Sequence, residues 1–350
     1  VILYDSHIPL TNYAHQLDEE LVPFDGRNLT KKDILASGAR ALFIRSVTKI
    51  DQSLITGTQL RFIGTCTAGY EHVDVQSLRN KGIAFAHAPG SNAMPVVEYV
   101  LTALHEWKKK TNAQFPNLTI GIIGMGQIGT RVAMMCQLLG MRVLASDPPL
   151  ESYGKNVTEG VEWVSLNMLF MQSNCISVHA AMNTHDLFPT QNLIKEYHCS
   201  LMNSSSLFIH AARGGMVDEH ALLKAMNDSD IHVAIDVWKQ EPSWNRELAG
   251  HPRTIMATPH IAGYTEDARK RGIDMIVQAY CNLMDKQFTS QSNDMKGTSV
   301  ADPKAVNLIK ERRFGEQKIL WLQGKEGNVF DEGRRTFMHD LETLSDIMLM

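Results

Sequence analysis

The run LTIGIIGMGQIG, residues 118–129, constrains this chain more than any other segment. An apolar, strand-like stretch leads into Gly124, Gly126 and Gly129 in GxGxxG spacing, with Gln127 and Ile128 opening a helix-like segment. Glycines at these places allow a tight turn and a close approach of backbone to a pyrophosphate, whose charge then sits at a helix N-terminus. The pattern alone is weak. It is strengthened by RVLASD, a second strand-like run that ends in Asp147, 18 residues after Gly129. A carboxylate there can accept hydrogen bonds from ribose hydroxyls. The plainer reading, Asp147 capping a turn before Pro148 and Pro149, leaves the glycines unexplained. A dinucleotide site is therefore predicted. Because a carboxylate repels a 2′-phosphate and no arginine follows Asp147 at once, NAD is expected rather than NADP.

A chain of 350 residues is too long for one ordinary core. Around the loop, LTIGIIG, RVLASD, CISVHA, SSLFIHAA, HVAIDVW and TIMATPH make six strand-like runs separated by helix-like or loop segments. Such a series predicts a doubly wound sheet. Before it, VILYD, ALFIRS, LRFIGT and GIAFAHA alternate with polar segments, which predicts a second α/β layer without a nucleotide loop. NAMPVVEYVLTALHEWKKK between them reads as one long helix, with Pro95 in its first turn and Val96, Val97, Val100, Leu101 and Leu104 on its apolar face.

The expected architecture is α/β: a flavodoxin-like substrate domain (1–94 and 265–286) and a Rossmann-like NAD domain (95–264), both doubly wound parallel sheets. A polar linker over 287–302 and a small C-terminal α+β appendage over 303–350 complete it.

Bulk properties exclude several classes. The net charge of -4 gives no basic footprint for nucleic acid. The five cysteines are scattered and never in a CxxC pair, which supports neither a disulfide framework nor a metal site and fits a reducing cytoplasm. No apolar run is long enough for a membrane span, and VILYDSHIPL lacks a basic signal-peptide start. A chain opening at Val1 is expected to lack a few N-terminal residues.

Three residues downstream of the loop suggest the chemistry. Arg213 in HAARGG, Glu241 in DVWKQEP and His260 in TPHIAGYT each follow an apolar strand-like run, and ligands bind at the carboxyl ends of strands in such sheets. Oxidising a 2-hydroxy acid needs a base for the hydroxyl proton and a cation that grips the carboxylate. An imidazole can take and return a proton near neutral pH, a carboxylate can orient it, and a guanidinium offers a planar fork. Read without that context, His260 is an ordinary histidine, Glu241 a turn residue before Pro242, and Arg213 an exposed cation beside Gly214 and Gly215.

Read in order, RSVTKI (45–50), GTCTAGYEHVD (64–74), APGSNAMPVVEYV (88–100), GIIGMGQIG (121–129), SDPP (146–149), ARGGMVDEHALL (212–223), DVWKQEP (236–242) and TPHIAGYT (258–265) resemble the D-isomer-specific 2-hydroxyacid dehydrogenases. The resemblance covers residues 1 to about 285. It implies an active-site trio of Arg213, Glu241 and His260, with His260 exchanging the proton. It also implies NAD contacts from Asp147, Ala211, Ala212, the Arg213 backbone, Asp236 and Gly263, and substrate contacts from Ser46, Thr67 and Tyr264.

The implied substrate is a small phosphorylated 2-hydroxy acid, for whose phosphate Arg45 and Lys49 are the nearest cations, unless they are solvated loop charges. Three departures stand out. Ala180-Ala181 replaces a Thr-Pro, which removes a hydroxyl contact to the cofactor; Ser204-Ser205 replaces a Pro-Gly; and His210 replaces an asparagine. FDEGRR (330–335) is similar to a motif of the family's dimerisation domain, implying a homodimer in which Arg334 reaches substrate across the interface. The short C-terminus is expected to be truncated or divergent. A non-catalytic NAD-sensing protein is the alternative from another class, and the complete trio argues against it.

Overall fold

The computed structural model describes residues 1–154, 158–184, 187–291 and 329–336. They form two compact units, one of Val1–Asn92 with the segment from Asp267, the other of Ala93–Glu266 with a C-terminal helix, Val329–Thr336.

The first unit is a five-stranded parallel sheet of β1 (Ile2–Asp5), β2 (Leu21–Phe24), β3 (Ala41–Ile44), β4 (Phe62–Thr65) and β5 (Ala84–Ala86), in the order β2-β1-β3-β4-β5. Successive strand side chains point to opposite faces. Thus Ala41 and Phe43 join Ile2 and Tyr4 on one side, while Leu42 and Ile44 join Leu3 and Ile63 on the other. The helix Glu266–Leu283 supplies Ile273, Ile276, Val277 and Tyr280 to the first of these clusters. Tyr280 meets the rings of Phe62 and Phe43 edge-on at 5.3 and 5.7 Å.

Two expectations for this unit need correction. Four strand-like runs were predicted where five strands form; β2 reads LVPF, and its Pro23 lacks the N–H a central strand needs but is tolerated at a sheet edge. The polar segment from residue 287 does not begin as a free linker. Thr289 N donates to Gln16 Oε1 (2.7 Å), Ser290 Oγ donates to Asp274 Oδ2 (2.6 Å), and Gln291 N also reaches Asp274. A buried carboxylate at Asp274 makes these polar residues anchors. Residues 292–302 and most of the expected appendage lie outside the described residues.

The second unit has seven parallel strands: β6 (Thr119–Ile123), β7 (Arg142–Ser146), β8 (Val161–Trp163), β9 (Cys175–Val178), β10 (Leu207–His210), β11 (His232–Ile235) and β12 (Thr254–Ala257). Their order is β12-β11-β10-β9-β6-β7-β8. The direction of strand addition reverses between β6 and β9, which makes that edge the place where a ligand cleft opens in sheets of this kind. β8 was not among the six predicted runs: three partly exposed residues, VEW, at the sheet edge leave no buried apolar signature.

Both faces are covered. Leu207 and Ile209 of β10 pack with the long helix Ala93–Thr111 and the helix Gln127–Leu138, whereas Phe208 packs with the helices Leu166–Gln172 and Glu219–Asp228. In the long helix Val96, Val97, Val100, Leu101 and Leu104 are buried, and Lys108, Lys109 and Lys110 lie in the last turn, where the helix dipole favours cations. No described helix is long and apolar enough to cross a membrane.

Candidate active site

At the β6 end, Gly124 has φ +91°, and a Cβ there would lie 2.5 Å from the backbone N of Ala180. The loops after β6 and β9 therefore touch at the reversal point. A Cβ on Gly129 would lie 2.0 Å from Gly124 O, so helix and strand approach too closely for any side chain. Gly126 is different: a Cβ there meets nothing within 4 Å. It is also the N-cap of the helix Gln127–Leu138 and supplies no side-chain cap. The first N–H groups, from Gln127 and Ile128 onward, thus lack a side-chain acceptor beside open space. That is the arrangement of an anion cradle.

Asp147 follows β7 and takes one of the two roles weighed for it, that of a turn cap. Its Oδ1 caps the short helix Pro148–Ser152 through Leu150 N (3.2 Å), and its Oδ2 accepts from Met125 N inside the glycine loop (2.8 Å). The carboxylate so fixes the loop itself while keeping part of its surface open.

On the same side of the sheet, β10 runs into Ala211, Ala212 and Arg213. Arg213 is half-buried and returns one guanidinium N–H to Ala212 O (2.9 Å). Beyond β12, His260 is a non-glycine residue with φ 56°. Left-handed backbone at such a residue costs about 1–3 kcal/mol and persists only where neighbours hold it. Asp236, at the end of β11, does the holding. Its backbone O accepts from His260 N (2.7 Å), Oδ1 from Ile261 N (2.8 Å), and Oδ2 from Ala262 N (2.9 Å). Thr258 Oγ1 lies 2.6 Å from Oδ1. The Asp236 carboxyl is buried, and desolvation pushes it up against the His260 charge and these hydrogen bonds.

The turn brings His260 Nδ1 to 2.8 Å from Glu241 Oε2, while Glu241 Oε1 accepts from Trp238 N (3.0 Å). Burial raises the Glu241 carboxyl, but the His260 hydrogen bond and charge, the Trp238 amide and the Arg334 guanidinium outweigh it and hold it below the usual carboxylate range. An ionised carboxylate only accepts, so the proton between them sits on Nδ1, which leaves Nε2 as the nitrogen that can exchange a proton.

The chain's segment 98–262 matches the model of the D-isomer-specific 2-hydroxyacid dehydrogenase NAD-binding domain. It is 36% identical over 289 residues to erythronate-4-phosphate dehydrogenase of Proteus mirabilis, covering 81% of this chain and 74% of the relative. With the enzyme of the same name from Acinetobacter baumannii it shares 35% over 294 residues, covering 83% and 80%. The chain belongs to the D-isomer-specific 2-hydroxyacid dehydrogenase family. Its fold is that of solved members: a D-lactate dehydrogenase from Aquifex aeolicus complexed with NAD and lactic acid superposes with a TM-score of 0.64 at 24% identity, covering 81% of this chain and 94% of that one. D-2-hydroxyisocaproate dehydrogenase does so at 0.66 and 20%, covering 81% and 96%.

As a member of this family the chain is an NAD-dependent dehydrogenase. The glycine loop fits the cofactor: open space at Gly126, a helix start without a side-chain cap, and Asp147 at the next strand end are what a pyrophosphate followed by a ribose requires. Ala180 meets the loop through its backbone. Gly263 and Tyr264 continue the His260 turn, and the Arg334 guanidinium of the same chain lies 5.5 Å over the Tyr264 ring.

Sequence reasoning assigned no role to a pair of neutral histidines beneath the site. His179 and His210 close the adjacent strands β9 and β10. Burial pushes His179 down to about 3, with the His210 charge adding to it, and His179 Nε2 contacts Ser177 Oγ at 2.8 Å. Burial pushes His210 down to about 4, against the Arg213 backbone and Glu241. Their positions at strand ends were the available signal.

The first unit places its candidates at the carboxyl end of its own sheet. Arg45 and Ser46 follow β3 beside β1, the reversal point of that strand order, and Thr67 follows β4. Arg45 Nε lies 3.0 Å from Oδ2 of Asp5, a fully buried carboxylate, so it is a held cation, whereas Lys49 is exposed. Thr67 Oγ1 is 2.7 Å from Thr65 Oγ1 and donates to Gly69 O (2.8 Å).

Proposed function

We propose that this chain oxidises 4-phospho-D-erythronate at C2 to 2-oxo-3-hydroxy-4-phosphobutanoate, a step toward pyridoxal 5′-phosphate. The relatives that share its sequence over four-fifths of its length carry the name of that activity. The observation that carries the chemistry is the Glu241–His260 pair, 2.8 Å apart at the end of the strand that follows the one leading to Glu241.

In this reading His260 Nε2 accepts the C2 hydroxyl proton, and Glu241 stabilises the imidazolium through Nδ1–H. Arg213 grips the substrate carboxylate and steadies the developing carbonyl with a planar fork. When bound, NAD supplies the nicotinamide that accepts the C2 hydride. The loop of Gly124, Gly126 and Gly129 would hold its pyrophosphate, Asp147 would meet its adenosine ribose, and the Ala211–Arg213 backbone, Asp236 and Gly263 would also contact it. Arg45, Ser46, Thr67 and Tyr264 receive the substrate, with the Asp5-held guanidinium of Arg45 meeting the distal phosphate.

The domains are assigned as 1–94 with 265–286 for substrate, 95–264 for NAD and 303–350 for dimerisation. We further assign a cytoplasmic homodimer: all five cysteines are free thiols, and FDEGRR is similar to part of the family's dimerisation domain.

Initial rates of NAD reduction with 4-phospho-D-erythronate and with 3-phosphoglycerate, alongside Arg213→Ala, test the reading. Turnover of the first acid that is abolished in the variant supports it. Preference for 3-phosphoglycerate would reassign the substrate, and no turnover of either would point to a binding protein. The mass in solution tests the dimer.

A further inference from the structure

Trp238 touches the supports of all three residues of the trio. Among the described residues it is the largest fully buried side chain, three positions past the end of β11. Its backbone N–H donates to Glu241 Oε1 (3.0 Å), and its indole Nε1–H donates to Thr258 O (2.9 Å), the carbonyl that opens the His260 turn. Its backbone O faces Gly214, the residue after Arg213, where a Cβ would come within 1.9 Å. Packing alone would explain a buried tryptophan in this cluster, but not why one of its N–H groups holds Glu241 and the other holds the carbonyl two residues before His260.

We infer that Trp238 is a positioning residue for proton transfer: one N–H fixes the Glu241 carboxylate and the other fixes the turn bearing His260, so the residue sets the registry of the pair. The inference rests on reading Glu241 and His260 as the acid–base pair. A phenylalanine at this position would keep most of the apolar contact and remove only the indole donor, leaving Thr258 O, in a fully buried residue, without that partner. The Thr258 end of the turn would then lose one of its ties, keeping those to Asp236, Ile235 O and Tyr99, and small misplacement of a catalytic group is costly in rate.

The test compares Trp238→Phe with Trp107→Phe. Trp107 is also buried in this unit, and its indole donates to Ser205 O (3.0 Å), so the second variant removes an equivalent hydrogen bond far from the trio. We expect similar losses in Tm. Only Trp238→Phe should lower kcat, by about tenfold, with KM for NAD within about twofold of the parent; tenfold corresponds to about 1.4 kcal/mol. The downfield proton resonance of His260 Nδ1–H, identified by its absence in His260→Asn, should shift or broaden in Trp238→Phe and stay unchanged in Trp107→Phe.

If Trp238→Phe does not fold, benzothienylalanine at position 238 keeps the ring shape and removes the same N–H. Unchanged kcat and an unchanged resonance in the folded variant would overturn the inference. Glu241→Gln separates the two levels: if it is fully active, the pair itself is misread; if it is impaired while the Trp238 variant is not, only the role of Trp238 falls.

Discussion

Glu241→Gln keeps the shape of the side chain and removes the charge beside His260. At the 2.8 Å separation of Nδ1 and Oε2, unit charges in an effective dielectric of about 20 interact by about 6 kcal/mol. That figure overstates the effect, because the side chains are 31% and 24% exposed and water screens them. A charge-assisted hydrogen bond of about 2–3 kcal/mol is the better measure, which translates into a loss of about 30- to 150-fold in kcat.

The acid limb of the kcat/KM profile for oxidation should also move to lower pH, since the imidazolium loses the carboxylate that stabilises it. The assay is steady-state NADH formation across pH, with both substrates varied in turn. A variant whose kcat is within about threefold of the parent, with an unmoved acid limb, would refute the reasoning, because it would place less than about 1 kcal/mol on the contact.

Other outcomes follow from the same geometry. Gly126→Ala should fold normally, since its Cβ meets open space, yet raise KM for NAD by about tenfold or more; Gly129→Ala, whose Cβ would sit 2.0 Å from Gly124 O, should instead lower Tm sharply. Paired thermal melts and NAD titrations distinguish them. Arg213→Lys should reduce kcat/KM by at least about tenfold with the fold intact, because an ammonium cannot reproduce the fork; circular dichroism and initial rates check it. The Glu241 carboxyl is held below its ordinary value, so its contribution to stability is full above about pH 4.5 and disappears as pH falls through the folded value. Acid melts should therefore show a smaller loss of Tm in Glu241→Gln than in the parent.

The central strands of both units are runs of buried apolar residues, and such runs are legible in a sequence without any contact information. Of the four edge strands, β5 and β12 were legible in GIAFAHA and TIMATPH, but β2 and β8 were not. LVPF and VEW are short and partly exposed, and their assignment depends on a neighbour supplying hydrogen bonds. Glycine spacing pointed to the nucleotide loop because sterics at Gly124 and Gly129 leave no room for a side chain.

The candidate site was marked residue by residue, not as a device. Nothing in TPHIAGYT announces that His260 adopts left-handed backbone, since the cause is Asp236, 24 positions earlier. Asp147 was weighed as either ribose acceptor or turn cap; its capping contacts to Leu150 and Met125 depend on how the loop folds over the strand end. The joint hold of Trp238 on Glu241 and Thr258 likewise exists only in three dimensions.

The account is tested most directly by the rate of NAD reduction when 4-phospho-D-erythronate is given to the purified chain. It predicts turnover with that acid, preference over 3-phosphoglycerate in kcat/KM, and loss of activity in His260→Asn. Turnover that survives in His260→Asn, or no turnover by a folded chain that binds NAD, would contradict it.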